Sequence, residues 1–296
     1  MSAVVLSAFS ALSFAMSSVV TRRVVVRVRD AAVGTVITVP FSVIIFFLVL
    51  LAIGQVSAIG SFTWQGYAWL STAGIVQFVI GRSIYFRLIR FVGANIASIM
   101  GHLQVVVAVV LGISLLGEPL TWRLVLGVFL LLFGLMITAI NPEMLHDRKK
   151  ILSGIPAKAY LMGLALGIAW GISPVLVKLG LGDSSSPVAG VFISYAAASI
   201  ALSLFLWNRS SRATINELSF RTTAFFCVGG MFSSTAQLLK YVALSLGAVS
   251  MVTPVFSLSP ILILLLSFLF NRKLDVFGIQ VVIGVFTAVV GTLLLV

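Results

Sequence analysis

Acidic residues are scarce in this sequence: seven Asp and Glu stand against 19 Lys and Arg in 296 residues. Histidine is scarcer, with His102 and His146 alone, and Cys227 is the single cysteine. One cysteine excludes an internal disulfide and any cysteine-based metal site. Two histidines far apart in the chain leave no His, Asp or Glu cluster of the kind that metal-assisted or acid–base catalysis requires. The expectation is therefore a chain with no catalytic residue, no metal site and no cofactor. Charge of either sign is thin as well, at 9% of residues, while 60% are hydrophobic. Mean hydropathy is +1.21. A surface of that composition is not wetted by water, so it faces lipid.

What the chain does have is long apolar runs. A membrane-spanning helix takes roughly 20 apolar residues. Runs bounded by charge, Gly, Pro or Ser predict ten helices, at roughly 2–20, 31–53, 64–86, 93–116, 122–140, 159–180, 187–207, 222–245, 248–270 and 276–296; these are called segments 1 to 10. Trp64, Trp122 and Trp207 fall at segment ends, where an amphipathic ring prefers the headgroup layer. Segment 1 has no basic residue ahead of it and Arg22 and Arg23 at its far end, which reads as a helix of the mature protein and not as a cleaved signal peptide. Cys227 reads as a small buried hydrophobe. A net charge of +12 by itself suits nucleic acid, but the basic residues sit in short clusters between apolar runs. That distribution suits contact with anionic lipid, so the expected partners are the bilayer and a small molecule, with no nucleic acid.

The two halves of the chain resemble each other. Phe14-Ala15-Met16-Ser17 followed by Arg22 matches Trp170-Gly171-Ile172-Ser173 followed by Lys178, with the same spacing. Gly93-Ala94 opens segment 4 and Gly247-Ala248 opens segment 9. Gly127-Val128-Phe129 and then Gly134 in segment 5 match Gly284-Val285-Phe286 and then Gly291 in segment 10. The predicted organisation is a first repeat over 1–141, a basic linker over 142–158 and a second repeat over 159–296. Five helices per repeat is an odd number, which makes the repeats inverted relative to each other. The links after segments 1, 3, 5, 7 and 9 carry most of the basic residues, among them Arg22, Arg23, Arg87, Arg90, Arg148, Lys149, Lys150, Arg209, Arg212, Arg272 and Lys273. Positive charge marks the cytoplasmic side, so both termini are expected outside a cell (inner) membrane crossed many times.

With these features in place, the chain resembles the EamA branch of the drug/metabolite transporter superfamily. The residues behind the resemblance are Phe14 and Trp170 with their small followers, the Gly81-to-Arg87 run before Gly93-Ala94, and Tyr241-Val242-Ala243-Leu244 before Gly247-Ala248. Gly117-Glu118-Pro119-Leu120-Thr121 and the pair Pro254 and Pro260 add to it. The resemblance implies an all-α integral membrane protein of about ten transmembrane helices in two inverted five-helix EamA repeats. It also implies a carrier, working outward, of amino acids or other small metabolites. One departure is Asn271-Arg272-Lys273-Leu274-Asp275, where the family usually keeps an acidic residue after segment 9. Another is the termini, which the superfamily often places in the cytoplasm, against the charge count here.

A charge inside hydrocarbon costs about 2.5–3.5 kcal/mol on insertion scales, so polar residues deep in a segment are the candidate substrate contacts. Arg82 and Tyr85 share a face of segment 3, and Arg82 either lines a cavity or snorkels to water. Gln237, Lys240 and Tyr241 share a face of segment 8, where two donors and a phenol suit a carboxylate. Asn95, Ser98 and His102 make a polar face on segment 4; His102 is either a packed, hydrogen-bonded ring or a proton relay. Gln104 points elsewhere. Trp170 either stacks on substrate or packs. Lys178 reads as interfacial. Pro174, Pro254 and Pro260 are hinge or kink positions, because proline removes a backbone hydrogen bond. The four glycines of segments 5 and 10 read as packing residues. No acidic residue lies in a segment core, and segment 1 lacks the glutamate with which small multidrug carriers of the superfamily bind cations. The sequence thus points to a secondary-active carrier of a small metabolite such as an amino acid or organic anion, which the resemblance makes an exporter. With no Gly-x-x-x-x-Gly-Lys-Ser/Thr motif, its energy comes from a coupling ion or proton, or from the substrate gradient. A channel, a non-transporting scaffold and a membrane-embedded enzyme are the alternative readings.

Overall fold

Every described element of the computed structural model is helical. It describes residues 2–25, 27–28, 30–31, 33–139, 157–182, 186–205, 218–270 and 279–294; at 93–96, 98–99, 135, 138–139, 205, 267–268, 270 and 279–282 only the backbone is described. The expected linker over 142–158 therefore lies almost wholly outside the described residues, as do Trp207 and His146.

The first half contains α1 (Ser2–Val25), α2 (Val33–Ala52), a 3-10 turn (Val56–Ser61), α3 (Trp64–Gly74), a π turn (Ile75–Gly81), α4 (Arg82–Met100), α5 (Leu103–Leu116) and α6 (Trp122–Ala139). The second contains α7 (Ala157–Leu181), α8 (Pro187–Phe205), α9 (Phe220–Leu246), α10 (Val249–Phe256), α11 (Ser259–Phe270) and α12 (Ile279–Leu293). Five helical stretches are long and apolar enough to cross a membrane: Ser2–Val25, Val33–Ala52, Ala157–Leu181, Pro187–Leu204 and Val249–Leu266, the last made of α10 and most of α11. Shorter apolar helices accompany them. Polarity is arranged as a bilayer requires: Phe9, Ile44, Phe129 and Phe286 point outward, while Ser7, Ser10, Thr35, Ser42, Gln77 and Ser234 are buried. Trp64 and Trp122 open α3 and α6 and are highly exposed, as headgroup-level rings are.

Helix packing follows one exchange rule. α1 packs along α9, and its counterpart α7 packs along α3 and α4. α5 lies against α7, and correspondingly α10 and α11 lie against α1. α2 meets α8, and α6 meets α12. Exchanging the two halves maps this contact set onto itself.

Small residues make the close approaches possible. A Cβ on Gly134 would stand 2.5 Å from Gly284 O, and one on Gly291 would stand 2.7 Å from Gly127 O, so α6 and α12 touch backbone to backbone. In lipid, where tails compete equally for apolar contact, such approach is a main source of helix association. Serine hydroxyls add crossing bonds, Ser10 Oγ to Ala236 O at 2.6 Å and Ser17 Oγ to Gly229 O at 2.7 Å.

Three details differ from the sequence reading. α1 continues past Arg22 and Arg23 to Val25, because a basic side chain can reach water without ending its helix. α4 runs on through Gly93-Ala94, and the break falls at Gly101-His102. The matching Gly247-Ala248 does interrupt the second half, between α9 and α10, with both residues extended. A break frees backbone groups that apolar surroundings cannot satisfy. At Gly247-Ala248 the Glu118 carboxylate accepts the N–H groups of Val249 and Ser250 at 2.6 and 2.8 Å. In the second half the position matching Glu118 falls in Asn271-Arg272, which has no acid. Finally, Cys227 is half-buried on α9 and not enclosed.

Candidate functional site

The interior of α3 and α4 changes pitch at the π turn, where Arg82 N–H bonds Gln77 O in place of the usual carbonyl four residues back. That carbonyl also accepts from the indole Nε1 of Trp170 at 3.3 Å. The contact is possible because residue 81 is glycine: a Cβ there would lie 2.3 Å from Trp170 Nε1. The turn thereby fixes Arg82 facing inward.

Arg82 is 6% exposed. Its Nη2 donates to Ser233 Oγ at 2.7 Å and to Tyr195 Oη at 3.0 Å, and its Nη1 to Thr38 Oγ1 at 3.4 Å. The guanidinium also stands 5.0 Å from the Phe78 ring centre and 5.7 Å from that of Tyr195. All these partners are neutral. The snorkelling reading of Arg82 is therefore corrected: the side chain ties α4 to α2, α8 and α9 in the interior.

A chamber opens beside it, lined by Phe14, Ser17, Ser18 and Thr21 of α1, Thr38 of α2, Gln77, Arg82, Tyr85 and Phe86, Trp170 of α7, and Gly229, Ser233 and Gln237 of α9. Tyr85 Oη pairs with Ser18 Oγ at 3.2 Å. The rings of Phe14, Tyr85 and Trp170 close one wall, with Tyr85 and Trp170 centroids 5.0 Å apart and Phe14 edge-on to Trp170 at 84°. Only about 20 Å³ is open to the centre of a water-sized sphere, room for about one water molecule. Admitting a solute requires the helices to part.

Of the residues singled out in the sequence, Arg82, Tyr85, Trp170 and Gln237 meet at this chamber. Lys240 is one turn further along α9, 2% exposed, with its ammonium 4.6 Å from the Phe256 ring centre. Phe256 in turn contacts Phe14 at 5.4 Å. Tyr241 turns away into the cluster formed with Val249 and Val252, and its hydroxyl makes no hydrogen bond among the described residues. His102 lies outside the chamber at the break between α4 and α5. Its Nε2 is 2.8 Å from Ser257 O, the carbonyl at the break between α10 and α11, so the two interruptions are tied to each other. The side chains of Asn95 and Ser98 lie outside the described parts of the structure.

α7 is continuous through Pro174, whereas the break after α10 falls between Pro254 and Pro260. Gln104 is buried, and its Oε1 has no hydrogen-bond partner among the described residues. Lys178, half-buried near the end of α7, donates from Nζ to Leu244 O at 2.7 Å and Gly247 O at 3.0 Å, capping the end of α9. Gln77, Ser233, Tyr195 and Glu118 were not singled out in the sequence. Only Glu118 carries a signal there, as the acid in Gly117-Glu118-Pro119. Among the described residues no group of three or more His, Cys, Asp or Glu is placed to hold a metal ion.

Paired helical halves around a buried polar chamber define a multi-pass membrane transporter class. The EamA-like transporter family model matches residues 1–140 and 157–296, and the chain belongs to that family. A solved structure described only as "Crystal structure of protein" shares 18% identity and superposes with a TM-score of 0.71, over 99% of this chain and 97% of that one. At that identity the likeness concerns the fold alone. The comparison with curated proteins found no match.

Proposed function

We propose that the protein is a secondary-active carrier, working as an exporter, for a small metabolite such as an amino acid or organic anion. The observation that carries this reading is Arg82, a buried cation on the chamber wall whose hydrogen bonds all go to hydroxyl oxygens. A cation held this way keeps its charge available to an incoming carboxylate.

In this reading the chain forms ten spans in two inverted five-helix repeats, 1–141 and 159–296, joined by the basic linker 142–158. The repeats rock about the chamber in alternating access, with Pro254 and Pro260 flanking the moving break and Pro174 softening α7. Arg82, Tyr85, Trp170, Gln237 and Lys240 contact substrate. A proton or other ion, or the substrate gradient, supplies the energy. The membrane is the cell (inner) membrane, with the basic links cytoplasmic and both termini outside.

The test is thermal stabilisation of detergent-purified protein by amino acids, organic acids and cationic dyes, for wild type and Arg82→Ala. Stabilisation of wild type by an anion or amino acid, lost in the variant, supports the reading. Stabilisation by cationic dyes alone, or equal shifts in both proteins, contradicts it.

A further inference from the structure

Lys240 and Arg82 are both nearly inaccessible, and among the described residues neither meets an acid. The acids among the described residues are Asp30, in the turn between α1 and α2, and Glu118, whose carboxylate is engaged by the amides of Val249 and Ser250. Lys240 instead rests its ammonium on the face of Phe256. One buried cation is tolerable when hydroxyls surround it. Two in one interior, with no counter-charge among the described residues, repel each other and together oppose the closed state.

Their arrangement along α9 is regular. Ser233, which holds the Arg82 guanidinium, Gln237, which lines the chamber, and Lys240 are spaced by four and three residues and so share one face. Seven residues of helix rise about 10 Å. Gln237 sits between the two cations. The repeat supplies a second argument: aligning Gly93-Ala94 with Gly247-Ala248 puts Lys240 at the position of Phe86, which lines the chamber. In the closed form the Phe14–Phe256 pair, centroids 5.4 Å apart, stands between the chamber and the ammonium.

We propose that the substrate is a small dicarboxylate, with one carboxylate at Arg82 and the other at Lys240 once Phe14 and Phe256 separate. This rests on the reading of the chamber as a substrate site, and it narrows that site to doubly charged molecules. A dianion neutralises both cations, whereas a monoanion leaves one uncompensated.

The experiment compares thermal stabilisation of the detergent-purified full chain by succinate and glutarate with that by monomethyl succinate, which keeps the carbon chain of succinate and loses one charge. The expected result is a larger shift from at least one dianion than from the monoester. In Lys240→Gln that excess disappears and the dianion behaves like the monoester. The wild-type comparison stands even if the variant fails to fold. Equal shifts from monoanion and dianion overturn the dianion proposal while leaving an anion carrier intact. An excess that persists in Lys240→Gln removes Lys240 from the site. No stabilisation by any anion overturns both this proposal and the reading beneath it.

Discussion

The indole Nε1 of Trp170 donates to the main-chain oxygen of Gln77, the oxygen that already accepts the N–H of Arg82 across the π turn. One carbonyl thus joins α7 to the turn that orients the buried arginine. Gly81→Ala places a methyl where the indole now sits, 2.3 Å from Nε1, and is expected to cost about 1–3 kcal/mol of stability. Removing the indole nitrogen with Trp170→Phe relieves part of that clash. The double variant should therefore lose less than the two single losses added, by thermal unfolding in detergent. Strict additivity would mean the two residues do not share the space.

Glu118 joins the end of α5 to the start of α10. Glu118→Ala strands the amides of Val249 and Ser250 and is expected to destabilise by about 1–3 kcal/mol. Glu118→Gln keeps an acceptor oxygen for one of them and should fall between Ala and wild type. Denaturant midpoints of the three proteins check the order; an alanine variant as stable as wild type would show that the cap contributes nothing.

The contact between α6 and α12 offers a cleaner steric test. Gly134→Ala drives a Cβ to 2.5 Å from Gly284 O and Ala288 N, and backbone cannot step aside as a flexible side chain can. A loss of about 1–3 kcal/mol is expected. Gly60→Ala meets nothing within 4 Å and serves as the control. Equal melting temperatures for the two variants would contradict the backbone contact.

Hydropathy made the apolar helices legible because the bilayer acts on each stretch locally. Small-residue spacing in segments 5 and 10 likewise marked the faces where α6 and α12 meet. The roles of Glu118 and Lys178 were not legible: their partners are 131 and 66 residues away, a separation that no periodicity encodes. His102 is similar, since its bond to Ser257 O spans 155 residues. Gln77 was passed over because it sits in the apolar run Ile75-Val76-Gln77-Phe78, where nothing signals a π turn. The break expected at Gly93-Ala94 moved because glycine permits a break without forcing one, and a break needs a partner for the groups it frees.

The central claim, that Arg82 holds a transported anion, is tested most directly by counterflow in proteoliposomes: labelled succinate outside, unlabelled succinate inside, wild type against Arg82→Gln, with both proteins shown monodisperse first. The account predicts saturable uptake by wild type that internal substrate accelerates, and its loss in the variant. Uptake linear in concentration would indicate a channel, and saturable uptake unchanged by Arg82→Gln would place the substrate somewhere other than this chamber.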